Sequence, residues 1–260
     1  MLYGDRRRFF KKEARTFLRE NYIAAVLCSF VALAVISGIF IVESLFISLF
    51  ASYIEETTLS VIFLAAEIAA FLFLCPLIYG WCTWFLQCAR SRSFVPLHTI
   101  FYPYSSLGSI IRATRVIVLY FLVGLGISGL VYLSLHVGTN IPSLLMKSPF
   151  YALISLACEI LFTVASFTAV FISIGALCVL NLSTRDDFTC VSQSLKESLR
   201  IMKGHRIEFF ILLVSFLPLV ILSVLSFGIL FAVYTVPYMA LTISIFTDYV
   251  CAKYDAKTQQ

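Results

Sequence analysis

From Tyr22 to Phe246 the chain alternates long apolar stretches with short gaps, and its Lys and Arg residues are confined to every second gap. An α-helix needs about 20 mostly apolar residues to cross a bilayer at ~1.5 Å per residue. The crossing segment must be helical, because lipid offers its backbone no hydrogen-bond partners. Six stretches meet that demand: Tyr22 to Val42, Ser60 to Phe85, Val116 to Val137, Phe150 to Leu182, Phe209 to Leu225, and Ile229 to Phe246. The expected fold class is therefore all-α, a polytopic membrane protein with six transmembrane helices. An apolar share of 61% agrees, since soluble domains lie nearer ~45–50%.

The fourth stretch is long enough for about 50 Å of helix and is expected to tilt or protrude. The last two are short and meet at Ser226-Phe227-Gly228, where Gly228 permits a tight reversal. Either a close helical hairpin or a re-entrant pair that does not fully cross fits that pattern.

Orientation follows from the cations. The N-terminal segment holds Arg6, Arg7, Arg8, Lys11, Lys12, Arg15 and Arg19, and the second-to-third gap holds Arg90, Arg92, Arg112 and Arg115. Arg185, Lys196, Arg200, Lys203 and Arg206 occupy the fourth-to-fifth gap, and Lys253 and Lys257 the tail. These are 18 of the 19 basic residues; Lys147 alone is left for the opposite side, where the gap from Ala51 to Leu59 carries Glu55 and Glu56. The positive-inside bias places both termini in the cytoplasm. The organisation expected is a basic leader over 1–21, a transmembrane domain over 22–250 and a tail over 251–260. The first apolar run exceeds a signal-peptide core and lacks a clean small-x-small site after it, so it is expected to stay as an anchor. The gaps are too short to bury a separate soluble core.

The leader is amphipathic as well as basic. Phe10, Ala14, Phe17 and Leu18 recur at helical spacing, and Arg8, Lys11, Lys12, Arg15 and Arg19 fall opposite. A helix lying in the headgroup layer is expected, with Arg6, Arg7, Arg8, Lys11, Lys12, Arg15 and Arg19 as contacts to anionic lipid. Nucleic acid is set aside as a partner because the cations adjoin a membrane span. A second cytoplasmic amphipathic helix is expected at about 188–204, with Val191, Leu195, Leu199 and Met202 as its apolar stripe and Gly204 as its C-cap. Lys12-Glu13 against Lys196-Glu197, and Pro76 against Pro237 in the following return helices, hint at a parallel repeat.

Motifs that resemble catalytic strings have plainer readings. Gly126-Ile127-Ser128-Gly129 fits the serine string of rhomboid proteases, but His98, His136 and His205 are not placed to take its proton. Gly124 and Ser128, with Ala165, Ala169, Ser173 and Ala176 on the fourth span, read as small faces for close helix packing. The eight cysteines form no C-x-x-C pair and read as small apolar residues. Cys88 and Cys251, near the inner ends of their helices, are candidates for palmitoylation. Glu67 and Glu159 fall at similar depth on the second and fourth spans with no intramembrane cation beside them. An ionised carboxylate there costs several kcal/mol. Two readings follow: protonated acids hydrogen-bonded to neighbours, or a shared site for a proton or cation.

Ser194-Leu-Lys-Glu-Ser-Leu-Arg-Ile-Met-Lys-Gly-His-Arg-Ile-Glu-Phe-Phe, followed by a helix and Val236-Pro-Tyr-Met, resembles a bacterial integral-membrane family known as domain of unknown function 975. Ser198 to His205, Ser226 to Gly228 and Pro237 to Met239 match its recurring features. Cys75-Pro76-Leu77 with Gly80 is similar to its Gly-Pro-Leu followed by Gly, with Cys75 departing from glycine. The resemblance implies a six-span architecture, a bacterial cytoplasmic membrane as the location, and kinship with the membrane domain of some glycerophosphodiester phosphodiesterases. It supplies no catalytic residues. The function expected is that of a non-enzymatic membrane protein without a cofactor, serving envelope maintenance or an export system through lipid or a membrane-protein partner. The alternative is a small proton- or cation-coupled transporter or channel using Glu67 and Glu159.

Overall fold

The computed structural model describes residues 3–50, 56–93, 95–145, 178–184, 191–226 and 228–258, and among them every regular element is helical. Helix α1 (Tyr3–Phe50) is followed by α2 (Glu56–Ser91), a 3-10 segment (Leu97–Ser105) and α3 (Leu107–Leu145). Shorter helices α4 (Val179–Ser183), α5 (Val191–Ile201), α6 (Arg206–Val214) and α7 (Leu217–Leu225) come next. A π-helical turn (Phe231–Thr235) then leads into α8 (Val236–Thr258). Five helices among the described residues are long and apolar enough to cross a membrane: Arg6–Phe46, Ser60–Ser91, Leu107–Gly126, Arg206–Leu225 and Phe231–Thr258. They answer to the first, second, third, fifth and sixth expected spans. The fourth, Phe150 to Leu182, lies outside the described residues except for its last turn in α4.

Burial divides the helices unevenly. Phe10 to Ala32 of α1, Leu74 to Cys88 of α2 and Tyr238 to Cys251 of α8 supply most of the buried apolar side chains. Further along, α1 exposes Phe40, Ile41, Val42 and Leu49, and α2 exposes Val61, Leu64, Ile68 and Leu72. So wide an apolar surface is untenable in water. It is stable in lipid, where acyl chains are as apolar as the side chains and nothing drives them inward.

The leader is packed against the rest of the protein. It continues into α1, and Asn21 (φ −123°, ψ 28°) is the non-helical residue at the junction. Its apolar stripe is turned into the protein: Phe10, Ala14 and Leu18 are buried, and the Phe10 ring meets Phe246 and Tyr249 of α8 edge-on. Of the cations expected at lipid headgroups, three are turned to protein partners. Lys11 Nζ donates to the Ser215 carbonyl at 2.9 Å and stands over the Phe216 ring. Arg15 stands over Tyr238, and Arg6 lies 3.9 Å from Glu208. Arg7 is half-buried, and Arg8, Lys12 and Arg19 stay exposed. The stripe turns inward where α6 and α8 offer an apolar face and the Ser215 carbonyl after α6 offers an acceptor. The helix breaks at Ser215–Phe216, ahead of Pro218, and a lysine is a natural donor to a carbonyl at such a helix end.

A tyrosine hydroxyl from another element stands near each of two prolines, Pro76 and Pro237. Proline has no N–H for the carbonyl four residues earlier and kinks its helix. At Pro237 that carbonyl is Val233, which accepts from the Tyr22 hydroxyl at 3.4 Å. Near Pro76 the Tyr104 hydroxyl donates to the Phe73 carbonyl at 2.6 Å and lies against the Leu77 backbone N–H. It is thereby inserted into the rung just after the proline. Tyr104 belongs to the 3-10 segment, which packs along α2 where Gly80 leaves room: a Cβ at Gly80 would overlap the Ile100 carbonyl. Trp84 Nε1 fixes the start of the segment by donating to the Val95 carbonyl at 3.1 Å.

The reversal after α7 is a tight hairpin, with Gly228 at φ +80° as the sequence requires. Ser223 and Thr235 hydroxyls meet at 2.6 Å across it. Helix α5 differs from expectation in its inner face. Met202 is buried as expected, but Ser194, Ser198 and Ile201 are buried beside it where Leu195 and Leu199 are half-buried, and the Val191 side chain lies outside the described residues. Two serines allow a closer approach than leucines would. Gly204, at φ +93°, follows the helix as a terminator.

Candidate functional site

A cavity of about 640 Å³ lies between α2, α3, α4 and α8. Helical spacing puts its walls together: Ile78 and Cys82 share one face of α2, and Ile117, Phe121, Gly124 and Ser128 fall at steps of three and four along α3. Asn181 of α4 and Ser244 and Thr247 of α8 line it as well. Most of the wall is apolar, and the polar groups are few.

Asn181 belongs to a hydrogen-bonded cluster that ties three helices together. Arg90 at the end of α2 donates from Nε to Asp248 of α8 at 3.1 Å. Its terminal nitrogens donate to Thr184 Oγ1 at 3.1 Å and to Asn181 Oδ1 at 2.6 Å. A guanidinium suits this place because its planar fork reaches separate acceptors at once. Tyr79 and Ser183 hydroxyls meet at 3.1 Å and tie α2 to α4 a second time. Asn181 is 1% exposed, and its Nδ2 is buried without a hydrogen-bond partner. Because a cation holds Oδ1, the amide cannot flip to satisfy Nδ2.

A second polar cluster sits where the leader meets α6. Glu208, 5% exposed, accepts from or shares a proton with His205 Nδ1 at 3.0 Å and faces Arg6. Lys253 of α8 approaches His205 Nε2 at 3.4 Å. Sequence reasoning passed over Glu208. Its signal was the three-residue step from His205, which brings both side chains to one helix face.

Of the sequence-predicted acids, Glu67 is exposed on α2, and Glu159 lies outside the described residues. Gly124 and Ser128 line the cavity, and a Cβ at Gly124 would meet nothing within 4 Å. Ala165, Ala169, Ser173 and Ala176, the small residues of the fourth span expected like them to pack closely, lie outside the described residues. Cys88 and Cys251 are fully buried, so neither is available for acylation. Cys28, Cys75, Cys88, Cys178 and Cys251 are buried as the apolar reading requires.

The model of a family described as Protein of unknown function (DUF975) matches residues 5–253 of the chain. No curated protein and no solved structure matches it.

Proposed function

The chain belongs to that family of unknown function, and on that footing we propose that it is a non-enzymatic scaffold of the bacterial cytoplasmic membrane, serving envelope maintenance or an export assembly. The observation that carries this reading is the docking of the basic leader onto α6 and α8, through Lys11 to Ser215 and Phe10 against Phe246. A leader fixed in this way joins α1 to the rest of the bundle and holds Arg8, Lys12 and Arg19 on a rigid outer face. Six spans with both termini inside the cell go with this proposal, supported by the one-sided cations. Anionic lipid at that face and a membrane-protein partner are its expected contacts. Kinship with the membrane domain of glycerophosphodiester phosphodiesterases belongs to the same proposal, resting on the Ser198 to His205 string. The polar clusters support a structural role, since Arg90, Tyr79, Ser183, Ser223 and Thr235 all bridge helices.

Deleting the gene and measuring envelope permeability to a dye tests the reading. Permeability should rise on deletion and return to normal with the full chain, and equally with Glu67→Gln. A Glu67→Gln protein made at the normal level that fails to restore the barrier would overturn the scaffold in favour of a carrier.

A further inference from the structure

We propose that the 640 Å³ cavity between α2, α3, α4 and α8 is a binding site for one acyl chain of a membrane glycerolipid, with the chain's ester carbonyl accepting a hydrogen bond from Asn181 Nδ2. The inference rests on the chain being embedded in a membrane and not on the scaffold role itself.

The shape fits a chain. The lining runs from Phe71 to Leu86 along α2, about 22 Å of helix, against ~15 Å for one leaflet of a ~30 Å hydrocarbon core. An apolar cavity of roughly 150 Å³ already takes a benzene-sized guest, and this one is several times larger. The access fits lipid. Phe121 and Leu125 line the cavity and are also 47% and 52% exposed, so its wall is continuous with the apolar surface of α3. A hydrocarbon chain passes from that surface into the cavity without meeting water.

The polar end selects the headward atom. Asn181 is almost wholly buried, its Oδ1 is committed to Arg90, and Nδ2 is left as an unpaired donor. An unpaired buried donor calls for an acceptor, because burial has removed its water. The acceptor is neutral rather than anionic: the Arg90 charge nearby is already paired with Asp248. An ester carbonyl supplies a neutral oxygen at the head of an acyl chain. A phosphate oxygen would bring a second negative charge to an Arg90 guanidinium that already holds the Asp248 carboxylate.

The test uses the full chain in vesicles containing a phospholipid with a photoreactive diazirine on one chain. It compares an ester-linked form with an ether-linked form that lacks the carbonyl. Labelling of the wild type should map to the Phe71–Leu86 and Ile117–Ser128 peptides. The ester form should be favoured by about five-fold, the factor for one neutral hydrogen bond. Gly124→Leu fills open space in the cavity and should lower that labelling about ten-fold, an overpacked site refusing its guest. Gly126→Leu, on the same helix outside the lining, should leave it unchanged. Asn181→Asp keeps the acceptor for Arg90, removes the donor, and should abolish the ester preference. Equal labelling of Gly124→Leu and wild type would show ordinary surrounding lipid and overturn the site. Equal labelling by ester and ether forms in the wild type would overturn the hydrogen bond to Asn181, even if Asn181→Asp does not fold. A normal barrier result with failed labelling, or the reverse, separates this site from the scaffold reading.

Discussion

Gly80 of α2 and Ile100 of the 3-10 segment approach so closely that a Cβ at position 80 would overlap the Ile100 carbonyl. The obstructing atom is backbone, so it cannot rotate away. Gly80→Ala should therefore lower stability by about 1–3 kcal/mol, the range for overpacking a well-filled site. Gly126→Ala, with open space around its Cβ, should be neutral or slightly stabilising, since alanine is the better helix former. Thermal unfolding of both variants in the same detergent checks the contrast.

Tyr104 bridges the α2 ladder beside Pro76 through its hydroxyl. Tyr104→Phe keeps the ring against Phe73 and removes only the donor, so a loss of about 1 kcal/mol is expected. Hydrogen exchange should also quicken at Leu77, the amide on which the hydroxyl rests. Unchanged exchange there would mean that the Leu77 amide is held by other means.

Arg90 gathers Asp248, Asn181 and Thr184 through separate nitrogens. Arg90→Lys retains the charge but not the fork, and should cost about 2 kcal/mol through lost charge-assisted hydrogen bonds. Lysine rescuing stability fully would show that the charge alone matters. A denaturation series with Arg90→Lys and Asp248→Asn, singly and together, measures the coupling.

The leader's cations should separate into two kinds. Lys11→Met leaves the Ser215 carbonyl without its donor and should free the leader to proteolysis, with a stability loss of about 1–2 kcal/mol. Neutralising the exposed Arg8, Lys12 and Arg19 should leave stability unchanged. It should weaken association with anionic lipid in nanodiscs by about 1 kcal/mol for each charge at low salt, and less as salt screens it. Loss of stability in both sets would contradict the division.

Fold class was legible in the sequence because lipid imposes a local rule. Each crossing segment must be apolar and helical over about 20 residues, so Tyr22 to Val42 or Ser60 to Phe85 can be read without knowing any neighbour. Gly228 and Gly204 were legible for a similar reason: a reversal and a helix end each demand a backbone that glycine supplies most easily. Partners were not local. An amphipathic leader reads the same whether its apolar stripe meets lipid or protein, and only the juxtaposition of Phe10 with Phe246 and of Lys11 with the broken helix end at Ser215 decided it. That Gly124 lines a cavity is likewise unmarked in the sequence. Asn181 is one polar residue at the end of an apolar run until Arg90, 91 residues away in sequence, takes its carbonyl oxygen and leaves its nitrogen unpaired. The sequence by itself determined which segments are helical and apolar, since burial in lipid is a property of each segment alone. Tertiary structure alone decided what each polar and small residue does, since a hydrogen bond or a void exists only between elements brought together from distant parts of the chain.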